Sequence, residues 1–308
     1  MRVRIIVLLG AALLAAGSVL TAPSLIAAQA AQNAKASELW KALGRRLEAE
    51  AAAVDGVVGY TLVDLTSGDR LGRLEHEVFP TASTIKIAIL YELFRQVDEA
   101  RLRLDDSRAL DRRHAVGGSG ILNELTSPTL SLGDYATLMI VLSDNTATNV
   151  LIDVVGMQNV NSRMSALGLD QTRLRRRMID LDAARRGEEN VATPAEIARL
   201  LEIVHRGEGL SKASHQDMLA VLKKPKSSAL RRSVPPRVEV ANKPGGLEGV
   251  AVDAGIVYLE SRPYIFVMMT TFLKENGAGD AAIETASRRA FDYFNRLALS
   301  SEYGRRIR

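Results

Sequence analysis

Leu39, Leu43, Leu47 and Ala51 recur at every fourth position with Trp40 beside them, a spacing that predicts an amphipathic helix within residues 37–53. Two apolar runs, Val57–Asp64 and Asp69–Leu74, flank Thr66-Ser67-Gly68 and read as a β-hairpin. Thr84–Ala100 is a strongly apolar helical stretch that turns polar at its end. A glycine-bearing, loop-like segment covers 115–130, and Ser131 is placed to cap a helix over 132–142 with Leu132, Ala136, Met139 and Ile140 on one face. Ser143-Asp144-Asn145 breaks that helix, and the helical pattern resumes over Thr146–Val155. Residues 170–192 carry few apolar positions and read as a long surface loop. Thr193-Pro194 opens a helix through 205, with proline at the first helical position, and 211–223 gives another. Val250–Leu259 and Tyr264–Phe272 are apolar, β-rich runs joined by Glu260-Ser261-Arg262-Pro263, an antiparallel hairpin. Ala281–Leu299 closes the chain as a helix.

Strands at both ends with helices between them predict an α+β fold (an α/β sandwich): one antiparallel sheet drawn from both chain ends, with a helical insertion. The order is not that of a doubly wound parallel sheet. No internal repeat or low-complexity linker divides the chain, so residues 31–308 are expected to form one domain. Residues 1–30 read as a signal peptide. Arg2 and Arg4 precede the apolar run Ile5–Ala16, and Ala28-Gln29-Ala30 is a small-x-small cleavage pattern. The expected location is therefore exported, periplasmic or extracellular, with membrane contact only through the signal segment if it stays uncleaved.

Composition narrows the chemistry. The 308 residues are 47% hydrophobic and 25% charged, as in ordinary globular proteins, and there is no cysteine, which excludes disulfides, thiolate metal sites and a cysteine nucleophile. The four histidines are far apart and show no metal-ligand spacing, so no metal or other cofactor is expected. Half of the formal +4 charge comes from Arg2 and Arg4. The arginine clusters (Arg173, Arg175, Arg176, Arg177; Arg231, Arg232; Arg305, Arg306, Arg308) lack interleaved aromatics and read as solvated faces, with no nucleic acid as partner.

Three short segments carry candidate chemistry. In Ser83-Thr84-Ile85-Lys86, a serine and a lysine three residues apart share a helix face. A desolvated lysine can take the proton of a serine hydroxyl, and a helix N-terminus favours developing negative charge. Taken alone, the same residues also read as a capping serine and an exposed lysine. Ser143-Asp144-Asn145 supplies a hydroxyl that can relay a proton and an amide that can hold a carbonyl; a helix-capping break is its plainer reading. In Lys243-Pro244-Gly245-Gly246, the lysine can attract a carboxylate and the glycines let backbone N–H groups approach a reacting carbonyl, although Pro-Gly-Gly is also an ordinary turn.

Their order and separations, 60 residues from Ser83 to Ser143 and 100 more to Lys243, resemble the S-x-x-K, S-D-N and K-T-G elements of active-site serine β-lactamases and penicillin-binding proteins. The chain resembles the class A β-lactamases over about residues 36–300. Phe79-Pro80 before Ala82-Ser83, the run Leu142-Ser143-Asp144-Asn145-Thr146-Ala147-Thr148-Asn149, and an omega-loop-sized segment between Thr172-Arg173-Leu174 and Thr193-Pro194 add to the match. The resemblance implies that Ser83 is the acylated nucleophile and Lys86 its general base. It implies that Ser143 shuttles a proton to the leaving amide, that Asn145 orients the substrate and Lys86, and that Lys243 and Gly245 bind the substrate. The N–H groups of Ser83 and Gly246 would form the oxyanion hole. It further implies a monomer acting on a small-molecule β-lactam or a D-Ala-D-Ala-like peptide.

The match breaks at three places. Met178 stands where the family's omega loop carries the deacylating glutamate, leaving Asp180 and Asp182 as candidate bases. Pro244 replaces the hydroxyl residue of the third motif, and Ala251-Val252-Asp253-Ala254 lacks an arginine that often helps hold the substrate carboxylate. These departures leave a β-lactamase with slow deacylation, a penicillin-binding D,D-peptidase or related amidase or esterase, and a non-catalytic secreted binding protein as distinct expectations.

Overall fold

A computed structural model describes residues 22–301 and 303–307; the basic and apolar parts of the expected signal, Arg2 to Ala16, lie outside the described residues. Helix α1 (Ala22–Ala52) leads into strands β1 (Val57–Asp64) and β2 (Arg70–Arg73). A short strand β3 (Phe79–Pro80) and a 3-10 turn over Ala82–Ile85 precede α2 (Lys86–Asp98). The insertion then runs through β4 (Ser107–Ala109), β5 (Thr129–Ser131), α3 (Leu132–Val141), α4 (Asn145–Val155), α5 (Met157–Ala166) and α6 (Leu181–Arg185). It continues with β6 (Val191–Ala192), α7 (Pro194–Arg206), α8 (Lys212–Lys223) and α9 (Ala229–Arg232). Strands β7 (Glu239–Leu247), β8 (Val250–Tyr258) and β9 (Tyr264–Thr271) return the chain to the sheet, and α10 (Asn276–Ala298) follows.

The sheet has the order β2-β1-β9-β8-β7, with every neighbouring pair antiparallel. Both faces are covered over the three central strands, which is why β1, β9 and β8 are apolar at most positions, while the edge strand β2 is exposed or half-buried. Along β9, Tyr264, Phe266 and Met268 pack with Leu43 and Leu47 of α1 and with Ile283 and Phe294 of α10. The alternate residues Ile265, Val267 and Met269 join the core of the helical insertion with Leu90, Ile197 and Leu201. The expected α+β layout, with strands from both chain ends, is present.

Three elements differ from expectation. The Lys243-Pro244-Gly245-Gly246 segment is not a turn but the middle of β7, a strand at the sheet edge. Proline is tolerated there because a missing N–H that points away from the sheet costs no ladder bond. Helix α5 is not signalled by apolar periodicity: of its ten residues only Val160 and Met164 are buried. The 170–192 segment is also less superficial than its composition suggests, since Thr172, Leu174, Arg176 and Met178 are all buried.

Phe294 is fully buried, stacked on Tyr264 at a centroid distance of 4.2 Å and met edge-on by Trp40. It therefore joins both terminal helices to the sheet. Phe294→Ala is expected to destabilise the fold by about 3–5 kcal/mol; urea unfolding followed by circular dichroism measures this, and a loss below about 1 kcal/mol would show that the contact is dispensable.

Candidate active site

Ser83 sits in the 3-10 turn that leads into α2, one residue after Ala82, whose φ of +46° is a left-handed conformation rare for a side-chain-bearing residue. β7 lies directly against this turn. A Cβ on Gly245 would come within 2.7 Å of the Ser83 nitrogen, so only glycine lets the strand approach so closely. Thr84 Oγ1 donates to the Lys243 carbonyl (3.2 Å) and fastens the turn to the strand.

Ser143 occupies the break between α3 and α4, again at positive φ (+54°). Asp144 causes and stabilises that break. One carboxylate oxygen caps α4 by accepting from the Ala147 N–H (2.8 Å), and the other accepts from the N–H groups of Ile121 and Leu122 (2.7 and 2.9 Å). The 115–125 loop is thereby drawn over the site. Gly120 (φ +103°) passes so near Asp144 that a Cβ there would lie 2.2 Å from the carboxyl carbon. Left-handed backbone at Ala82 and Ser143 is strain concentrated where the two hydroxyls meet.

The Ser143 hydroxyl is the centre of the arrangement. It donates to Ser83 Oγ (2.9 Å) and accepts from Lys86 Nζ (3.1 Å) and Lys243 Nζ (3.0 Å), which uses its one proton and both lone pairs. Lys86 Nζ also donates to the Ser143 carbonyl (2.8 Å) and to Asn145 Oδ1 (3.1 Å). Asn145 Nδ2 donates to the Gly117 carbonyl (3.1 Å), which fixes the amide's orientation. Lys243 Nζ donates to the Pro244 carbonyl (2.8 Å).

Neither lysine forms an ion pair with a carboxylate among the described residues, and both are essentially without solvent exposure (0% and 1%). Desolvation pushes the Lys86 ammonium well below its ordinary range; Lys243 pushes it further down, and Asp144 opposes the shift. Lys243 is pushed down to about 7, chiefly by burial and in spite of Asp253. The structure thus brings Ser83, Lys86, Ser143, Asn145, Lys243 and Gly245 together, with Gly246 exposed on the same cleft wall.

Met178 is buried and lines the cleft with Ser83 and Asn145. Asn149, on α4, brackets it: its Oδ1 accepts from the Met178 N–H (2.8 Å) and its Nδ2 donates to the Met178 carbonyl (3.2 Å). The next residue, Ile179, has φ +60°, unusual for a β-branched residue. Asp180 Oδ1 caps α6 by accepting from the Ala183 N–H (2.9 Å), while Asp182 is exposed and paired with Arg185. The carboxylate that does line this part of the cleft is Glu189, whose Oε2 accepts from Arg176 Nη2 (2.8 Å) and Nε (3.2 Å). Asn149, Asn190 and the Arg176–Glu189 pair shape this loop through contacts between residues far apart in sequence. None of them has a local periodic signal. Among the described residues no group of three or more His, Asp or Glu side chains is arranged to hold a metal.

A serine hydroxyl and a desolvated lysine, joined through a second hydroxyl at the edge of an α+β sheet, form the kind of site that an active-site serine hydrolase uses. The chain belongs to the beta-lactamase enzyme family, whose family model matches residues 42–294, and it is a serine hydrolase of the β-lactamase type. It is 29% identical to the imipenem-hydrolyzing beta-lactamase of Enterobacter cloacae over 247 residues, covering 77% of this chain and 85% of that protein. A beta-lactamase from Sphaerobacter thermophilus DSM 20745 superposes with a TM-score of 0.76 at 31% identity, covering 83% of this chain and 98% of that one. PBP-A superposes with a TM-score of 0.77 at 27% identity, covering 83% and 96%. A leucine-to-glutamate variant of PBP-A is also solved as its acyl-enzyme complex with penicillin G.

Lys243 titrates near 7 when folded and near 10.4 when unfolded. Between those values the unfolded chain binds a proton that the folded chain does not, so stability falls as pH drops from about 10 to about 7. Lys243→Met is therefore expected to raise the melting temperature, and to raise it more at about pH 6 than at about pH 10. Thermal melts at both pH values test this; equal shifts would show that Lys243 keeps an ordinary lysine pKa.

Proposed function

We propose that the protein is an exported hydrolase that opens β-lactam amide bonds through a Ser83 acyl-enzyme and releases the acyl group slowly. The observation that carries this reading is the Ser143 hydroxyl, within hydrogen-bond distance of Ser83 Oγ and of two buried lysine amines at once.

The same contacts offer a proton path once Lys86 is neutral: the Ser143 O–H then turns to donate to Lys86 Nζ and the Ser83 O–H to donate to Ser143, the reverse of the bonds described above. Ser83 Oγ attacks the β-lactam carbonyl as its proton moves to the Ser143 oxygen, while the Ser143 proton moves to Lys86 Nζ. The resulting oxyanion is held by the N–H groups of Ser83 and Gly246. As the C–N bond breaks, the Ser143 relay runs in reverse and delivers the proton to the departing ring nitrogen. The product is an ester on Ser83 with the opened ring still attached. Lys243 pairs with the substrate carboxylate, and Asn145 holds Lys86 and the substrate amide.

Hydrolysis of that ester needs a base for water. Met178 has none to offer, Asp180 is engaged as a helix cap, Asp182 points to solvent with Arg185, and Glu189 is held by Arg176. This shortage supports long-lived adducts. It also favours a second reading, a penicillin-binding D,D-peptidase or related amidase or esterase, to which the likeness to PBP-A adds weight. A non-catalytic binding protein has no use for two lysines buried against one hydroxyl.

Intact-mass spectrometry of the mature protein with benzylpenicillin, followed in time, tests the reading. A drug-mass adduct is expected on the wild type and not on Ser83→Ala. Ser143→Ala should slow adduct formation about 100-fold or more, and Met178→Glu should shorten the adduct's lifetime at least about tenfold. A D-Ala-D-Ala peptide cleaved faster than the penicillin would move the assignment to the peptidase. Absence of any adduct on the wild type would overturn acylation by β-lactams.

A further inference from the structure

Asn145, Asn149 and Asp153 follow one another at intervals of four on α4 and so share one face of that helix. Asn145 holds the Gly117 carbonyl in the 115–125 loop on the cleft wall, and Asn149 brackets Met178 in the 170–192 segment. Asp153 takes no part in the proton relay, yet of these three side chains it is the one that reaches both segments. One carboxylate oxygen pairs with Arg177, the residue before Met178. The other lies 3.4 Å from Nε2 of His114, in the 3-10 turn (Arg112–His114) that leads into the wall loop.

The two segments approach each other again beside the nucleophile. A Cβ on Gly118 would come within 3.3 Å of Ile179 Cδ1, at the edge of a cavity of about 230 Å³ lined by Ser83, Asn145 and Met178. Their separation sets the width of this entrance to an ester on Ser83. A shift at His114 is passed along the wall loop, because Thr146 Oγ1 accepts from the Val116 N–H and donates to the Val116 carbonyl (both 3.1 Å), next to the Asn145–Gly117 bond.

His114 is the weak point of this junction. Its ring is buried, and Nδ1 has no hydrogen-bond partner among the described residues. A neutral imidazole can place its one proton on Nε2, toward Asp153, and leave Nδ1 a bare acceptor, whereas an imidazolium carries a second N–H that needs an acceptor of its own. The charged groups facing the ring are Arg113 and Asp111 of its own turn, Asp153 of α4 and Arg177 of the 170–192 segment. Both carboxylates are already paired, Asp111 with Arg113 and Asp153 with Arg177. Burial, followed by the two arginines, holds the imidazole below its ordinary range, with Asp111 opposing them. A folded value below the unfolded one means that the buried arrangement loses stability as pH falls through about 6.5.

We propose that Asp153 is a positioning residue that locks the wall loop and the 170–192 segment together over the Ser83 ester, and that charging of His114 in mild acid releases the lock. The proposal rests on the reading that β-lactams acylate Ser83. Neither side chain touches the reacting atoms: Asp153 acts through Arg177 and the adjoining Met178, His114 through the backbone that runs on to Gly118. While the lock holds, Ile179 stays against Gly118 and water is kept from the ester; its release widens the entrance and shortens the life of the adduct.

Hydrogen exchange on the full chain without ligand reads the lock itself, and the lifetime of the benzylpenicillin adduct reads its consequence. In Asp153→Asn, amide protection factors should fall about tenfold in residues 112–125 and 172–190 together and stay unchanged in β1, β8 and β9, with partial recovery in Asp153→Glu. Wild-type protection in both segments should fall about threefold or more between about pH 7.5 and about pH 5.5, and should not fall in His114→Gln, which has no charge to gain. Adduct lifetime should shorten by similar factors in the same comparisons. Loss of protection confined to one segment, a pH dependence that persists in His114→Gln, or an adduct lifetime that does not change would overturn the proposal. Absence of any adduct on the wild type, with the paired and pH-dependent loss of protection still present, would instead reject the acylation reading and leave the lock standing.

Discussion

Two lysine side chains end on the hydroxyl of Ser143 in a region that water barely reaches, and the rest of the site follows from that constraint. An ammonium group held without a carboxylate partner loses much of its hydration, so its proton becomes easier to lose. Depressed lysines result, and the shift makes Lys86 a readier proton acceptor than an exposed lysine. Keeping Lys86 and Lys243 there requires three distant segments to converge: the turn before α2, the break between α3 and α4, and the edge strand β7. Each pays at its point of contact with an awkward backbone feature: left-handed Ala82, left-handed Ser143, and a glycine at 245 that no larger residue could replace without moving Ser83.

Those features also explain why local stability is not optimised here. The apolar layers on both faces of the sheet make the insertion rigid, and α10 and α1 clamp the outer face through Phe294 and Leu47. A rigid frame can tolerate a strained and partly desolvated cleft, because the buried apolar surface elsewhere outweighs it. Asp144 belongs to the frame more than to the chemistry. Its two carboxylate oxygens satisfy three backbone N–H groups, and so one side chain sets the position of both Asn145 and the overlying loop.

The terminal strands, the main helices and the residues Ser83, Lys86, Ser143, Asn145 and Lys243 are legible in the sequence because each depends on local pattern or on a short motif. Strand β7 is not, since Pro-Gly-Gly has the chemistry of a turn; only its place at the sheet edge makes proline harmless there. The omega-loop region is hidden for a related reason. Its path is set by Asn149 bracketing Met178 and by Asn190 holding Arg175 and Arg176, side-chain to backbone contacts with no period to detect. Asp180 reads as a free carboxylate until the short helix α6 gives it N–H groups to cap.

Substrate charge and base strength are coupled in this arrangement. With Lys243 pushed down to about 7 by burial, much of it is neutral at physiological pH, and a carboxylate beside it favours its protonated form. A positive Lys243 is itself one of the groups that lowers Lys86. Binding of an anionic ligand therefore takes up a proton at Lys243, and the two opposite charges then act on Lys86 in opposite senses. Under the proposed acylation of Ser83, the ligand's charge would set the protonation of one of the two amines on the Ser143 hydroxyl as well as hold the ligand in place. An uncharged ester of the same shape would fill the cleft without that proton uptake.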